Sequence, residues 1–154
     1  MIILGIDPGT ARLGYGVIEV DTRSARAVDF GCIETSKEWK SAERLLFLRQ
    51  AMEKIIQKHQ PERVGVEKIF FAKNSKTALG VGEARGVVLA CIAEAGILVC
   101  EMTPMQVKSA VTGYGLADKK QMQKMVQMIF KLQEIPKPDD AADALAIALT
   151  ASRM

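Results

Sequence analysis

The fold is decided by the stretch Ile2-Ile3-Leu4-Gly5-Ile6-Asp7-Pro8-Gly9-Thr10. Its first five residues are apolar or glycine, which is typical of a strand buried on both faces at the centre of a sheet. The strand ends on the carboxylate of Asp7, and Pro8-Gly9 then forms a turn. A lone buried charge is very costly, so Asp7 must be solvated, paired or bound to a metal ion.

The composition predicts a soluble globular protein with a single domain spanning residues 1–154. Of its residues, 49% are hydrophobic and 25% are charged, and a chain of this length buries roughly 68–70% of its unfolded surface. No apolar run reaches the ~18 residues of a membrane span. No basic region precedes the first apolar run, so we expect no signal peptide and a cytoplasmic protein. Three scattered cysteines predict buried thiols rather than disulfides; they are Cys32, Cys91 and Cys100.

The order of the predicted elements indicates an α/β fold. Three strands come first, and the second and third form a hairpin that turns at residues 21–24. The expected strands span residues 2–7, 14–20, 25–33, 63–67 and 97–102, and the two long helices span 41–59 and 75–95, with Ser41 and Ser75 as N-caps. Shorter helices follow Thr103 and Asp118, and a last helix runs to about Ala151. An antiparallel meander followed by parallel crossovers gives a five-stranded mixed sheet with helices on both faces.

Acidic residues stand at the ends of two of these strands and at the start of the last helix. Asp7 and Glu67 end strands that we expect to be parallel neighbours, so both emerge at the sheet edge where open α/β sheets bind ligands. Asp140 and Asp143 are three residues apart on one face of an alanine-rich helix that can lie close to the sheet. Converging carboxylates repel one another unless cations bind, and oxygen-only ligands favour magnesium or manganese.

The metal interpretation depends on the acids occurring together. Each acid taken singly has another explanation. Asp7 is able to cap its own turn, and Glu67 is able to lie exposed at the end of its strand. Asp140 and Asp143 are able to be ordinary acids in the first turn of a helix. Taken together, they predict one or two divalent ions, which activate water and stabilise the leaving oxygen in phosphodiester cleavage. Asp139 lies four residues before Asp143 on a shared face, so it is an alternative to Asp140 as a ligand.

Basic residues are concentrated in two stretches, although the net charge is only +3. The first runs from Lys68 to Arg85, and the second, from Thr103 to Lys137, holds six lysines against two acids. Such stretches predict contact with a polyanion. A solvated, lysine-rich surface is the alternative.

Three motifs together resemble the RuvC crossover junction endodeoxyribonucleases, a family of bacterial Holliday junction resolvases. They are Gly5-Ile6-Asp7-Pro8-Gly9-Thr10, Glu67-Lys68-Ile69-Phe70-Phe71-Ala72-Lys73-Asn74 and Asp140-Ala141-Ala142-Asp143-Ala144-Leu145-Ala146. The first motif alone also resembles the phosphate loop of sugar-kinase and actin-like ATPases, but the resemblance to the resolvases covers nearly the whole chain. It implies an RNase H-like fold and a homodimer that cuts four-way DNA junctions by paired symmetric nicks. It also implies Mg²⁺, at one or two ions per subunit, with Mn²⁺ as a substitute.

The resemblance also implies roles for individual residues. The family's four acidic positions, catalytic and metal-binding, match Asp7, Glu67, Asp140 and Asp143. Two basic positions near the scissile phosphate match Lys108 and Lys119, and an aromatic that engages bases at the junction centre matches Phe70. Further DNA contacts are expected from Lys73, Asn74, Lys76 and Arg85. The helix of residues 75–95 resembles the family's dimer interface, and association with the RuvA–RuvB branch-migration complex is expected.

Three other functions stay open on the sequence. A related nuclease that processes RNA is disfavoured by the aromatic after Glu67 and by the Asp-x-x-Asp spacing. An ATP-binding module of the actin type normally has two lobes, and this chain has room for one. A junction-binding protein without catalysis would leave the acids free of metal.

Overall fold

The computed structural model describes residues 1–68 and 75–154, with the side chains of the second stretch described from Thr77 onward. Within these residues the elements follow the predicted order. The strands are β1 (Ile2–Asp7), β2 (Arg12–Val20), β3 (Ala25–Glu34), β4 (Arg63–Glu67) and β5 (Leu98–Met102), and the helices are α1 (Ser41–His59), α2 (Ser75–Glu94), α3 (Pro104–Thr112), α4 (Lys119–Ile129) and α5 (Asp139–Ala151).

The strands form one mixed sheet in the order β3-β2-β1-β4-β5. The first three strands pair antiparallel, while β1 and β4, and β4 and β5, pair parallel. The apolar strand β1 is therefore central, as its sequence predicts. This pairing also places the carboxyl ends of β1 and β4 side by side.

Helices cover both faces of the sheet, which confirms the predicted layering. On one face, Ile3 of β1 belongs to a core that includes residues of α3, α4 and α5. On the other face, Leu4 and Ile6 belong to a core that includes residues of α1 and α2. Successive side chains of a strand point to opposite faces, so Gly5 and Asp7 share the face of Ile3, which α5 covers.

Helix α5 lies directly on a row of glycines. Gly5 pairs with Gly16 on one side and with Gly65 on the other. A Cβ added at Gly5 would overlap the carbonyl oxygen of Ala144, and one added at Gly65 would lie 2.9 Å from the Cβ of Ala151. The alanine-rich helix therefore approaches the sheet as closely as backbones allow, as predicted.

Helix α1 begins differently from the prediction. Ser41 is its first helical residue rather than its cap, and the N-cap position is Lys40. The backbone N–H of Lys40 donates to Oε2 of Glu43 at 2.7 Å. The prediction that Ser41 caps the helix is wrong because the side chain of Glu43, three residues beyond the cap, takes over the capping. For α2, the N-cap falls outside the described residues.

The caps of the shorter helices are as predicted. The side chain of Thr103 accepts a hydrogen bond from the backbone N–H of Gln106, and the side chain of Asp118 accepts one from the backbone N–H of Gln121. These bonds satisfy N–H groups that the first turn of a helix leaves without intrahelical partners.

The compositional predictions hold in part. Cys91 is a buried free thiol, but Cys32 and Cys100 are only half-buried, so the prediction of buried thiols is wrong for these two. They lie on β3 and β5, the edge strands of the sheet, where neighbouring strands cover one side only. No helix among residues 1–68 and 75–154 has the length and apolarity to cross a membrane.

Candidate active site

Three of the predicted acids line one cleft of about 240 Å³. Asp7 and Glu67 reach it from the adjacent carboxyl ends of β1 and β4, and Asp143 reaches it from α5. Lys108 of α3 and Lys119 of α4 line the same cleft. The structure thus gathers acids from three separate parts of the chain and sets two lysines beside them.

Asp140 stands next to this cleft and is positioned by β2. Gly14 lies opposite Asp7 in the sheet register, and a Cβ added at Gly14 would overlap the backbone carbonyl oxygen of Asp140. The Oδ2 atom of Asp140 is buried and has no hydrogen-bond partner among the described residues. Nη1 of Arg12 lies 3.5 Å from it, which is longer than a normal hydrogen bond.

The acids raise one another's pKa values. Burial, followed by the charges of Asp143, Glu67 and Asp140, raises the pKa of Asp7 to about 8, against an opposing effect of Lys119. Burial, followed by the charge of Asp143, raises the pKa of Glu67 to about 7. The pKa of Asp143 is also raised, chiefly by burial. At neutral pH this cluster therefore holds protons that separate, solvated carboxyls would release.

Asp139 and Asp140 differ in their contacts. Asp139 forms an ion pair with the ammonium of Lys119, and that hydrogen bond lowers the pKa of Asp139 below its ordinary value. The charge of Asp140 is among those that raise the pKa of Asp7, whereas the charges of both Asp139 and Asp140 raise the pKa of Asp143. This geometry favours Asp140 over Asp139 as the fourth member of the acidic cluster.

Lys119 is fixed at the edge of the cleft by two acids. Besides its pair with Asp139, its Nζ lies 3.5 Å from Oδ2 of Asp143. The hydrogen bond to Asp139 is the main cause that raises the pKa of Lys119 above its ordinary value. Lys119 therefore keeps its positive charge beside the acids at any physiological pH.

Arg85 forms a different contact from the predicted one. Its guanidinium pairs with Glu101 of β5, and only 21% of its side chain is exposed. The DNA contact that the resemblance implies for Arg85 stays a prediction. Other predicted contacts lie outside the described residues, namely Phe70, Lys73, Asn74 and the side chain of Lys76.

Arg12 is the site residue that the sequence interpretation missed. We expected the second strand to begin at Gly14, whereas β2 begins at Arg12, which pairs with Glu34. Had the second strand been predicted to begin at Arg12, the alternation of side chains along a strand would have placed Arg12 on the same face as Gly14 and Gly16. That is the face on which α5 carries Asp140.

The acidic cluster suits a divalent cation by its chemistry rather than by a ready-made geometry. In the part of the chain that the structure describes, no three Asp, Glu, His or Cys side chains are already arranged to hold one metal ion. The donors are all carboxylate oxygens, which are typical ligands of Mg²⁺ and Mn²⁺. Their mutually raised pKa values and the buried, unpaired Oδ2 of Asp140 show negative charge without enough compensation, which a cation drawing the carboxylates together would supply.

Comparison with known proteins places the chain among nucleases. A sequence model of the RuvC family, described as crossover junction endodeoxyribonuclease RuvC, matches residues 3–151. The chain belongs to this family.

Relatives in the RuvC family align over nearly the full chain. The crossover junction endodeoxyribonuclease RuvC of Desulfitobacterium hafniense (strain DSM 10664 / DCB-2) is 54% identical over 149 residues, which cover 97% of this chain and 90% of that protein. The protein of the same name from Roseiflexus sp. (strain RS-1) is 53% identical over 146 residues, which cover 95% of this chain and 87% of that protein.

A solved member of the RuvC family has the same fold. The structure of Thermus thermophilus RuvC in complex with Holliday junction substrate superposes with a TM-score of 0.93 at 40% identity, covering 99% of this chain and 93% of that chain. The mixed five-stranded sheet with helices on both faces is the RNase H-like fold that the resemblance implied, and this prediction is confirmed.

The raised pKa values predict that the metal-free protein loses stability as pH rises. The pKa of Asp7 goes from 3.8 to about 8 on folding, and that of Glu67 from 4.5 to about 7. The folded chain therefore holds protons that the unfolded chain has released, so this contribution is fully present below about pH 4 and is lost by about pH 8. We expect the free energy of unfolding in EDTA to fall by on the order of a few kcal/mol over this range.

Urea unfolding at pH 5, 6.5 and 8, with and without millimolar Mg²⁺, measures this loss. We expect Mg²⁺ to restore stability at pH 8, because a cation then replaces the missing protons. The matched variant is Asp7→Asn, whose stability should depend less steeply on pH. Identical slopes for the two proteins in EDTA would show that Asp7 is ionised normally.

Proposed function

We infer that this chain is an endonuclease that resolves four-way DNA junctions by paired symmetric nicks, in recombination and DNA repair. The observation that carries this function is the cleft in which Asp7, Glu67 and Asp143 meet Lys108 and Lys119. Membership of the RuvC family supports the reaction, and the 40%-identical relative solved with a Holliday junction supports the substrate. A cytoplasmic location suits that substrate.

The proposed cofactor is Mg²⁺, at one or two ions per subunit, with Mn²⁺ able to replace it. Asp7, Glu67, Asp140 and Asp143 would hold it, since their oxygens form the under-compensated cluster of the site. When bound, such an ion lowers the pKa of water and stabilises the leaving oxygen of a phosphodiester.

The lysines act on the phosphate. Lys119 keeps its proton because Asp139 and Asp143 surround its ammonium, so it offers a fixed positive charge to the scissile phosphate. Lys108 lines the same cleft and lowers the pKa of Glu67 against the effect of burial. The two lysines orient the phosphate and balance the charge that develops as its bond breaks.

We place the homodimer interface on α2. An added Cβ at Gly82 or Gly86 meets no heavy atom within 4 Å among the described residues, and Leu79 of the same helix is 75% exposed. A second copy of α2 packing there would set two acidic clefts against opposing strands of a junction. Association with the RuvA–RuvB branch-migration complex belongs to the same proposal, as an expectation from the family.

A substrate panel tests the proposed function. The purified chain is incubated with a four-way DNA junction, a linear DNA duplex and an RNA–DNA hybrid, with Mg²⁺ varied from zero to 10 mM, about the range that fills weak Mg²⁺ sites. We expect paired nicks in the junction alone, and only with the metal. Preferred cleavage of the hybrid would identify an RNA nuclease, and junction binding without any nicking would identify a non-catalytic junction binder.

A further inference from the structure

A second groove, of about 470 Å³, is lined by Asp140 and is separate from the acidic cleft. Its walls are the turn of residues 9–11, the start of β2 with Arg12, and the first turns of α1 and α2. The groove is narrow because α2 approaches that turn closely: a Cβ added at Gly80 would lie 2.7 Å from Oγ1 of Thr10.

The groove carries two arginines in different states. Arg44 is anchored, because its Nε donates to Oγ1 of Thr35 at 2.8 Å, and that hydroxyl in turn donates to the carbonyl oxygen of Thr10 at 2.6 Å. Arg12 is half-exposed, and its guanidinium lies near Asp140 without the close fork geometry of an arginine–carboxylate pair. The guanidinium of Arg12 is therefore able to contact another anion in place of the carboxylate of Asp140.

The lining of the groove favours a phosphate over a base or an apolar ligand. Hydroxyl groups of Thr10 and Ser41 stand beside the two arginines, and no aromatic side chain lines it among the described residues. Two acids also line the groove, so the two arginines are balanced in charge: Glu83 accepts a hydrogen bond from the hydroxyl of Ser41 at 3.2 Å, and Asp140 lies near Arg12. Arginine and hydroxyl groups are the side chains that most often hold nucleic-acid phosphates.

Asp140 connects the groove to the acidic cleft. Its side chain lines the groove, while its charge raises the pKa of Asp7 in the cleft. A strand with one phosphate at the cleft has Arg12 available as a second contact for its backbone. Because Arg12 forms no close pair with Asp140, its guanidinium is able to contact a phosphate without breaking such a pair first.

We propose that this groove binds the sugar-phosphate backbone of the cut DNA strand next to the cleavage point, with Arg12 as its phosphate-binding residue. The inference rests on the proposed function, because it needs DNA at the acidic cleft. It adds a binding subsite beside Asp140, separate from the cleft that the two lysines line.

The first test compares Arg12→Gln with Arg26→Gln. Arg26 is a matched control, since it is an exposed arginine that also pairs with an acid, Glu19, but lies at the far end of the β2–β3 hairpin. Junction affinity is measured in EDTA from 50 to 200 mM salt, the range over which phosphate contacts dominate. For Arg12→Gln we expect the slope of log K against log salt to become shallower by about 0.9 for each subunit bound. At 0.1 M salt this change corresponds to about eightfold weaker association per subunit. Arg26→Gln should match the wild-type protein.

The second test locates the phosphate. Junctions are prepared with a single neutral methylphosphonate at successive positions on either side of the cleavage point. We expect one position to weaken wild-type binding and to have no further effect on Arg12→Gln. The same comparison in an Asp140→Asn background should retain the effect of Arg12→Gln, since the contact is with DNA.

Three results would overturn the subsite: an unchanged salt slope for Arg12→Gln, an effect that vanishes in the Asp140→Asn background, or equal penalties at every methylphosphonate in both proteins. Cleavage of the unmodified junction by the wild-type protein is recorded in parallel with Mg²⁺. Failure to cut overturns the proposed function, whereas cutting without an Arg12 effect overturns the groove alone.

Discussion

Asp7→Asn is expected to cut junctions at least about 10³-fold more slowly than the wild-type protein and to bind them at least as tightly. The amide keeps the shape of the side chain but removes a charged oxygen from the centre of the acidic cluster. Loss of a metal contribution of several kcal/mol to the transition state corresponds to such a factor, at tenfold per 1.36 kcal/mol. Binding survives because the basic groups that contact phosphates are untouched, and because Asp7, with a pKa of about 8, is already mostly neutral near pH 7 without a metal ion.

Single-turnover cleavage with Mg²⁺ and equilibrium binding in EDTA measure the two effects separately. Asp21→Asn is the control, because Asp21 sits in the exposed hairpin turn and accepts backbone N–H groups of Arg23 and Ser24 through one oxygen that an amide also provides. This control should cut and bind normally. An Asp7→Asn protein that cuts within tenfold of wild type would remove Asp7 from the catalytic centre.

Gly5→Ala is expected to lower the free energy of unfolding by at least about 3 kcal/mol and to abolish cleavage. The added Cβ would overlap the carbonyl oxygen of Ala144 and lie against the backbone of Ala148, so no rotamer change relieves it. Helix α5 must move off the sheet, and Asp140 and Asp143 move with it.

Gly96→Ala is the matched control for this substitution. Gly96 has a positive φ of 66° and no heavy atom within 4 Å of an added Cβ among the described residues, so its cost is backbone strain alone, about 1–2 kcal/mol. Chemical unfolding and junction cleavage are measured on both variants. Equal losses of unfolding free energy in the two variants would mean that overlap with α5 at Gly5 costs no more than backbone strain costs at Gly96.

The sequence was most informative where local pattern and chemistry coincide. The apolar run of β1 that ends on Asp7 predicted a central strand with its acid at the ligand-binding edge, because burial on both faces leaves no other place for such a run. The alanine-rich α5 predicted close packing, and the glycine row that receives it follows from the register of β1, β2 and β4. The central position of β1 and the close packing of α5 were predictable because they depend on residues adjacent in the sequence or on the small size of glycine and alanine.

Features that depend on distant partners were not predictable from the sequence. Helix α1 begins one residue earlier than a cap at Ser41 requires, with Lys40 as its N-cap, and the hydroxyl of Ser41 instead donates to Glu83 of the distant helix α2. The half-burial of Cys32 and Cys100 follows from their edge strands, and strand order is a property of the whole sheet. Arg12 was missed because we expected the second strand to begin at Gly14, and because the approach of Asp140 depends on how α5 packs on the sheet. The contacts that distinguish Asp139 from Asp140 likewise depend on where Lys119 lies in the fold.

The acids and the lysines are carried by different parts of the architecture. Asp7 and Glu67 end strands of the sheet. Asp140 and Asp143 lie on α5, which packs against the row of glycines in that sheet. Lys108 and Lys119 come from α3 and α4, which pack with α5 in one core on the same face of the sheet. We therefore expect substitutions in the apolar residues between α3 and α5 to change the charge balance of the cleft, although they touch no charged residue.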